Sequence, residues 1–217
     1  MEHLFHFVKN LKEIGAIAPS SKFLARDLAR QLDSSFSASR KPLNMLEIGA
    51  GTGPLTKRLA KRLKPDDHLD VVELNDRFYK QLSREYDAPN INIEHGDILE
   101  FNPGYSYDII FSSLPYEGLP KEISHKIWVK KLQLCGELTY ITYYKYLNVR
   151  QFKCKFEKTV VDRYKRDSNV VFLNVPPAKR FTLRINRSEL PDSLTEYQVE
   201  DLIKNKEKNN GKKDLIS

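Results

Sequence analysis

The chain has 217 residues, with 36 Lys and Arg against 29 Asp and Glu, a net charge of +7. That length suits one domain with extensions or two very small ones, and 40% hydrophobic with 11% aromatic residues is enough for a sizeable core, which argues against global disorder. Two cysteines, Cys135 and Cys154, cannot make a disulfide scaffold and suit a reducing cytosol, while no apolar run approaches the roughly 18 residues that span a bilayer.

At the N-terminus, a helical wheel puts Leu4, Phe5, Phe7, Val8, Leu11 and Ile14 on one half and His3, His6, Lys9, Asn10 and Glu13 on the other. Such an amphipathic helix either lies in a membrane interface or docks on the core as a lid. Pro19 with Ser20 or Ser21 starts a second helix, Phe23–Leu32. Asn44–Gly49 reads as a buried strand, and Leu55, Leu59 and Leu63 follow at helical spacing. Leu69–Leu74 is a second strand, after which Asp76 caps a helix with apolar positions Phe78, Tyr79, Leu82 and Tyr86. Ile91–His95 and Tyr107–Ser112 are further strands, Pro120–Leu132 a helix, and Glu137–Tyr143 a fifth strand. Lys158–Lys165 and Arg180–Asn186 read as an antiparallel strand pair around the Pro176-Pro177 loop, and the Lys- and Asn-rich stretch Lys204–Lys213 as a frayed tail. Strands alternating with helices through short connections predict an α/β fold with a parallel sheet covered on both faces.

The segment Glu47-Ile48-Gly49-Ala50-Gly51-Thr52-Gly53 lies where the first strand turns into a helix. Glycines there allow a sharp turn and a close ligand approach, and the helix start offers free N–H groups, the chemistry of a nucleotide-type cofactor site. The spacing is G-x-G-x-G, not the dinucleotide pattern G-x-G-x-x-G. Glu73 ends the second strand, where a carboxylate can accept from ribose hydroxyls. After the third strand, Asp97 can accept from an adenine amine and Ile98 can pack on the ring.

With these residues the chain resembles the class I S-adenosylmethionine-dependent methyltransferases from about Asn44 to Tyr143. The resemblance implies a Rossmann-like seven-stranded sheet, mostly parallel with an antiparallel last strand, and S-adenosylmethionine as methyl donor. It also implies cofactor contacts from Ser21, Glu47, Gly49, Ala50, Gly51, Thr52, Gly53, Glu73, Leu74, Asp97 and Ile98. Residues 1–34 would form an N-terminal helix and lid segment, 35–187 the methyltransferase domain, and 188–217 a polar tail. Ile14–Ser21, Val71–Asn75 and Asn174–Ala178 are similar to stretches of bacterial phospholipid N-methyltransferases, which methylate phosphatidylethanolamine toward phosphatidylcholine. More distantly, Ser113-Leu114-Pro115-Tyr116 is similar to the Asn-Leu-Pro-Tyr of ribosomal RNA adenine dimethylases.

In those RNA enzymes the Asn amide accepts from the target amine and the Tyr ring stacks on the flipped base. Ser113 lacks that reach and favours a non-base amine, whereas Tyr116 can stack on a base or face a cationic headgroup. Ser113 or Tyr116 with the carbonyl of Leu114 or Pro115 would orient the amine, unless the segment is only a strand-ending turn. The proton acceptor stays open among Glu117, His125 and water.

Charge is unevenly spread. Residues 1–75, 76–147 and 148–217 carry net charges of +3, −2 and +6, and 148–187 alone hold 11 basic and 3 acidic residues. Lys179 and Arg180 would contact phosphate or form a solvated edge, and Tyr140, Tyr143, Tyr144 and Tyr146 would surround a methylated ammonium or simply pack. Phe5, Phe7, Lys9, Tyr143, Lys179 and Arg180 are therefore the expected substrate or membrane contacts, and no metal is expected. The expected function is methylation of a phospholipid amine by a cytoplasmic enzyme held peripherally at the inner face of an anionic membrane. The alternatives are a ribosomal RNA adenine N6-dimethyltransferase, disfavoured by the small room left for a separate RNA-binding domain, and a non-catalytic S-adenosylmethionine-binding interaction protein.

Overall fold

The computed structural model describes residues 21–35, 41–147 and 152–191. The expected N-terminal amphipathic helix, with Phe5, Phe7 and Lys9, and the chain from 192 onward lie outside the described residues.

Five parallel strands form one side of a seven-stranded sheet: β1 (Asn44–Ile48), β2 (His68–Glu73), β3 (Ile91–His95), β4 (Tyr107–Ser112) and β5 (Cys135–Tyr146). β6 (Lys165–Val171) and β7 (Ala178–Asn186) complete it in the order β3-β2-β1-β4-β5-β7-β6. β7 runs antiparallel to both β5 and β6, as expected for the last strand.

The helices are α1 (Lys22–Ser35), α2 (Thr56–Ala60), α3 (Asp76–Glu85), α4 (Lys121–Gln133) and α5 (Lys155–Tyr164). Alternate residues of the central strand β1 serve opposite faces of the sheet. Leu46 and Ile48 pack with Trp128 of α4 and Val160 of α5. Met45 packs with Leu24 and Leu28 of α1, Leu59 of α2 and Leu82 of α3. Burial on both faces explains why these strands are near-continuous apolar runs.

Two sequence expectations change. Lys158–Lys165 is not a strand: it falls mostly in α5, whose Phe156, Val160, Val161 and Tyr164 are buried at helical spacing. The β-branched run Thr159-Val160-Val161 raises strand propensity, but burial of one helical face outweighs it. The cap of α3 is Asn75, whose Oδ1 accepts from the Phe78 N–H at 3.2 Å, while Asp76 opens the helix itself and pairs with Lys80 at 2.8 Å.

The edge hairpin is fastened to α1. Arg180 Nε donates to Asp27 at 2.7 Å, its Nη1 pairs with Asp167 at 2.6 Å, and Asn169 Nδ2 donates to the other Asp27 oxygen at 2.9 Å. Packing also continues past residue 187, where a 3-10 turn at Arg187–Glu189 leads to buried Leu190.

Candidate active site

The chain order of the strands reverses between β1 and β4, so their carboxyl ends leave a crevice at a topological switch point. The glycine loop follows β1, Glu73 ends β2, Asp97 follows β3 and Ser113 follows β4. The parallel sheet therefore brings all four to one edge. Backbone bonds hold the strand ends in place: Gly49 N–H donates to Val72 O at 2.9 Å and Ser113 N–H to Ile48 O at 2.9 Å.

Gly49, Gly51 and Gly53 have φ of 74°, 60° and 77°, a region that side chains disfavour. A Cβ on Gly49 would come within 2.7 Å of Leu114 Cδ2, and one on Gly53 within 2.7 Å of Leu82 Cδ2. At Gly51 a Cβ would meet nothing within 4 Å. The middle glycine thus faces open space while its neighbours allow close packing below, which is the form of a cradle for a ligand. Glu73 shapes that cradle: its oxygens accept from the N–H groups of Gly51 and Asn75, each at 2.8 Å. Each carboxylate oxygen retains a lone pair for a ligand hydroxyl.

Asp97 is half-buried and accepts from the Leu99 N–H at 2.9 Å. Burial raises its carboxyl pKa, against which the Leu99 hydrogen bond acts. Ile98 beside it is buried. The rings of Tyr79 and His95 stack at 4.8 Å near the end of β3, a pairing that the sequence pattern does not mark. Neither residue belongs to a local motif.

Glu47 behaves differently from the other acids. It is fully buried, and burial pushes its pKa up to about 8, against which hydrogen bonding from Thr56 acts. Its carboxyl therefore supports the loop from beneath and does not line the cradle. Ser21 Oγ accepts from Leu24 N–H at 3.2 Å as the cap of α1 and keeps its own O–H donor, and its N–H donates to Asn174 Oδ1 at 3.0 Å.

On the acceptor side, Ser113, Leu114 and Pro115 are half-buried at the strand exit. The Leu114 and Pro115 carbonyls accept from Tyr116 and Gly118 N–H groups at 3.0 Å, and each keeps a second lone pair. Tyr116 does not face outward. It is 2% exposed, its hydroxyl lies 2.7 Å from Ser112 Oγ, and its ring packs against Trp128 and Tyr143. This core arrangement replaces the expected stacking platform, because an aromatic ring gains more from burial among other rings than from exposure.

Tyr143 is likewise fully buried and donates to Glu157 Oε1 at 3.0 Å, which removes it from the expected acceptor contacts. Lys145 pairs with Glu157 at 3.0 Å in the same interior. Lys131 directs its Nζ at the Trp128 ring centroid from 3.0 Å, and burial drives its pKa well down. Tyr140, Tyr144 and Tyr146 are buried as packing residues. Glu117 Oε1 accepts from Tyr146 N–H at 2.6 Å, and His125 stacks on Phe156 at 4.5 Å. Arg180 is held by its two carboxylates, and Lys179 Nζ lies 5.3 Å from the Phe181 ring. Among the described residues, no group of three or more His, Cys, Asp or Glu converges to hold a metal.

The family model of ribosomal RNA adenine dimethylase matches residues 5–169. An ornithine lipid N-methyltransferase of Singulisphaera acidiphila is 29% identical over 188 residues, covering 82% of this chain and 92% of its own. A probable ribosomal RNA small subunit methyltransferase A of Methanosarcina barkeri is 36% identical over 135 residues, covering 61% of this chain, which spans 45% of that relative. Among solved structures, the N-methyltransferase NodS from Bradyrhizobium japonicum in complex with S-adenosyl-L-homocysteine has the same fold. Its TM-score is 0.60 at 16% identity, over 75% of this chain and 87% of that one.

Proposed function

Because the chain belongs to the ribosomal RNA adenine dimethylase family, and is an S-adenosylmethionine-dependent methyltransferase, we propose that its acceptor is the primary amine of a membrane lipid headgroup. Phosphatidylethanolamine, methylated toward phosphatidylcholine, is the first substrate to test, and an aminoacyl lipid offers the same amine chemistry. The observation that carries the proposal is the acceptor turn: Ser113 stands where the RNA enzymes have an amide, and Tyr116 is 2% exposed. A turn of that form offers small polar acceptors and no open ring for a base. The near full-length alignment with the ornithine lipid enzyme also supports a lipid amine.

The cradle residues Gly49, Gly51, Glu73 and Asp97 would hold S-adenosylmethionine, whose sulfonium supplies an electrophilic methyl group. Ser113 Oγ and the Leu114 and Pro115 carbonyls would accept from the amine N–H groups and turn its lone pair toward the cradle. Transfer of that methyl to the amine nitrogen would leave S-adenosylhomocysteine, and the proton displaced from the nitrogen would pass to solvent water at the half-buried turn. Orientation of two reactants in one crevice is the main source of acceleration in such a site.

The RNA reading is supported by the family match itself and by the 36% identity with the small subunit methyltransferase relative. Purified protein is incubated with methyl-labelled S-adenosylmethionine and, separately, vesicles of phosphatidylethanolamine, vesicles of ornithine lipid and undermethylated ribosomal RNA. Label in a lipid arm is the expected result. Label in RNA with none in either lipid replaces the lipid reading.

A further inference from the structure

The β6–β7 connection carries an apolar surface unlike any other part of the described fold. Phe172, Leu173 and Val175 are 74%, 66% and 81% exposed, next to each other at one hairpin tip. Large apolar side chains exposed together mark an interaction surface more often than a solvated loop.

The tip is braced. Between the exposed residues, Asn174 is 1% exposed, with its Nδ2 donating to Pro176 O at 2.6 Å and its Oδ1 accepting from Ser21 N–H at 3.0 Å. Leu147 N–H donates to Pro177 O at 2.9 Å. The buried amide fixes the loop from inside, so Phe172, Leu173 and Val175 are held outward at little further cost in conformational entropy.

Strand register sets where the tip stands. Ser112 of β4 pairs with Tyr143 of β5, while Tyr146 of β5 pairs with Ala178 of β7, which pairs in turn with Val171 of β6. The hairpin therefore leaves the sheet at the same end as the acceptor turn, about 10 Å further along the strand direction. Beside it, Phe23, Arg26 and Arg30 of α1 line a cleft of about 360 Å³ with Phe172 and Leu173. Asp27, the acid in that cleft, already pairs with Arg180 and Arg30, and Lys179 follows the tip on the other face of β7 beside Phe181, so exposed Arg26 and partly exposed Lys179 flank the tip on its two faces.

We propose that this hairpin tip is a membrane wedge: Phe172, Leu173 and Val175 enter the acyl boundary of an anionic leaflet, while Arg26 and Lys179 meet lipid phosphates. An apolar tip with a basic rim suits a bilayer interface, whose apolar and anionic layers lie in the same order. Insertion there would set the acceptor turn facing the headgroup layer. The proposal rests on the lipid-amine reading of the site and adds how that amine is reached.

The test uses the full chain with vesicles of phosphatidylglycerol and phosphatidylethanolamine. The double variant Phe172→Ser/Val175→Ser is expected to partition about tenfold more weakly than the wild type, with unchanged cofactor affinity and unchanged transfer to phosphatidylethanolamine in detergent micelles. In Phe172→Trp, emission is expected to shift to the blue on vesicle binding and to be quenched by brominated lipid. Unchanged partition of the double variant, or vesicle-bound Phe172→Trp without quenching, overturns the wedge. So does a wild type that binds no vesicles, or a double variant that loses only RNA binding. Quenching without any lipid methylation keeps the wedge and removes the lipid-amine function, whereas lipid methylation with an unquenched tip does the reverse.

Discussion

Gly49 and Leu114 meet across the crevice so closely that a methyl group on Gly49 would lie 2.7 Å from Leu114 Cδ2. The first glycine of the loop after β1 and the second residue of the turn after β4 thus share one packing contact.

Gly49→Ala is expected to destabilise the protein by about 1–3 kcal/mol through its positive φ alone, and by more through Leu114. Gly51→Ala has the strain without a collision, since nothing lies within 4 Å of its Cβ position. Thermal unfolding should therefore show the larger loss for Gly49→Ala, while calorimetric titration with S-adenosylhomocysteine should show weakened binding in both. Full affinity in Gly51→Ala would place the cradle elsewhere.

Glu73 joins the glycine loop to the start of α3 through the Gly51 and Asn75 N–H groups. Glu73→Ala leaves both donors without this acceptor, at about 1–3 kcal/mol each where water cannot replace it. Cofactor affinity should fall at least about tenfold, the equivalent of 1.4 kcal/mol. Glu73→Gln keeps one acceptor oxygen and should retain more of both stability and affinity, measured by the same two methods.

The Glu47 carboxyl gives stability a pH dependence. Burial raises its pKa from 4.5 to about 8 in the folded protein. Between those values the folded state holds a proton that the unfolded state has released, so this contribution is full below about pH 4.5 and is lost as pH rises to about 8. Glu47→Gln removes the titration with little change in shape. The melting temperature of Glu47→Gln relative to wild type should rise steadily from pH 5 to pH 8, with a free-energy difference on the order of a few kcal/mol. A constant difference across that range would mean that Glu47 is hydrated.

Ser113 and Tyr116 should separate by kinetics. Ser113→Ala removes a hydroxyl at the half-buried turn and is expected to lower kcat about tenfold with the cofactor KM unchanged. Tyr116→Phe removes a hydroxyl buried against Ser112 Oγ, so about 1 kcal/mol of stability is expected to be lost. Its acceptor KM should stay within twofold. A large rise in acceptor KM at full stability would show that the Tyr116 ring opens to the substrate.

The convergence of the strand-end residues was legible in the linear chain. Glu73, Asp97 and Ser113 each sit at a strand end, and consecutive parallel strands must carry their carboxyl ends to one edge, so a linear pattern predicts their convergence. The positive φ of Gly49, Gly51 and Gly53 is similarly a local property of the glycines. Burial was not legible there. Tyr116 and Tyr143 have the same aromatic character as Phe172, yet the first two are buried and the third is 74% exposed. The run Thr159-Val160-Val161 has strand propensity but folds into α5, and Glu47 shares the motif of the cradle but lies beneath it. In each case the outcome depends on which distant residues cover the side chain, because burial is set by packing between elements far apart in the chain, whereas turns and strand ends are set by neighbours.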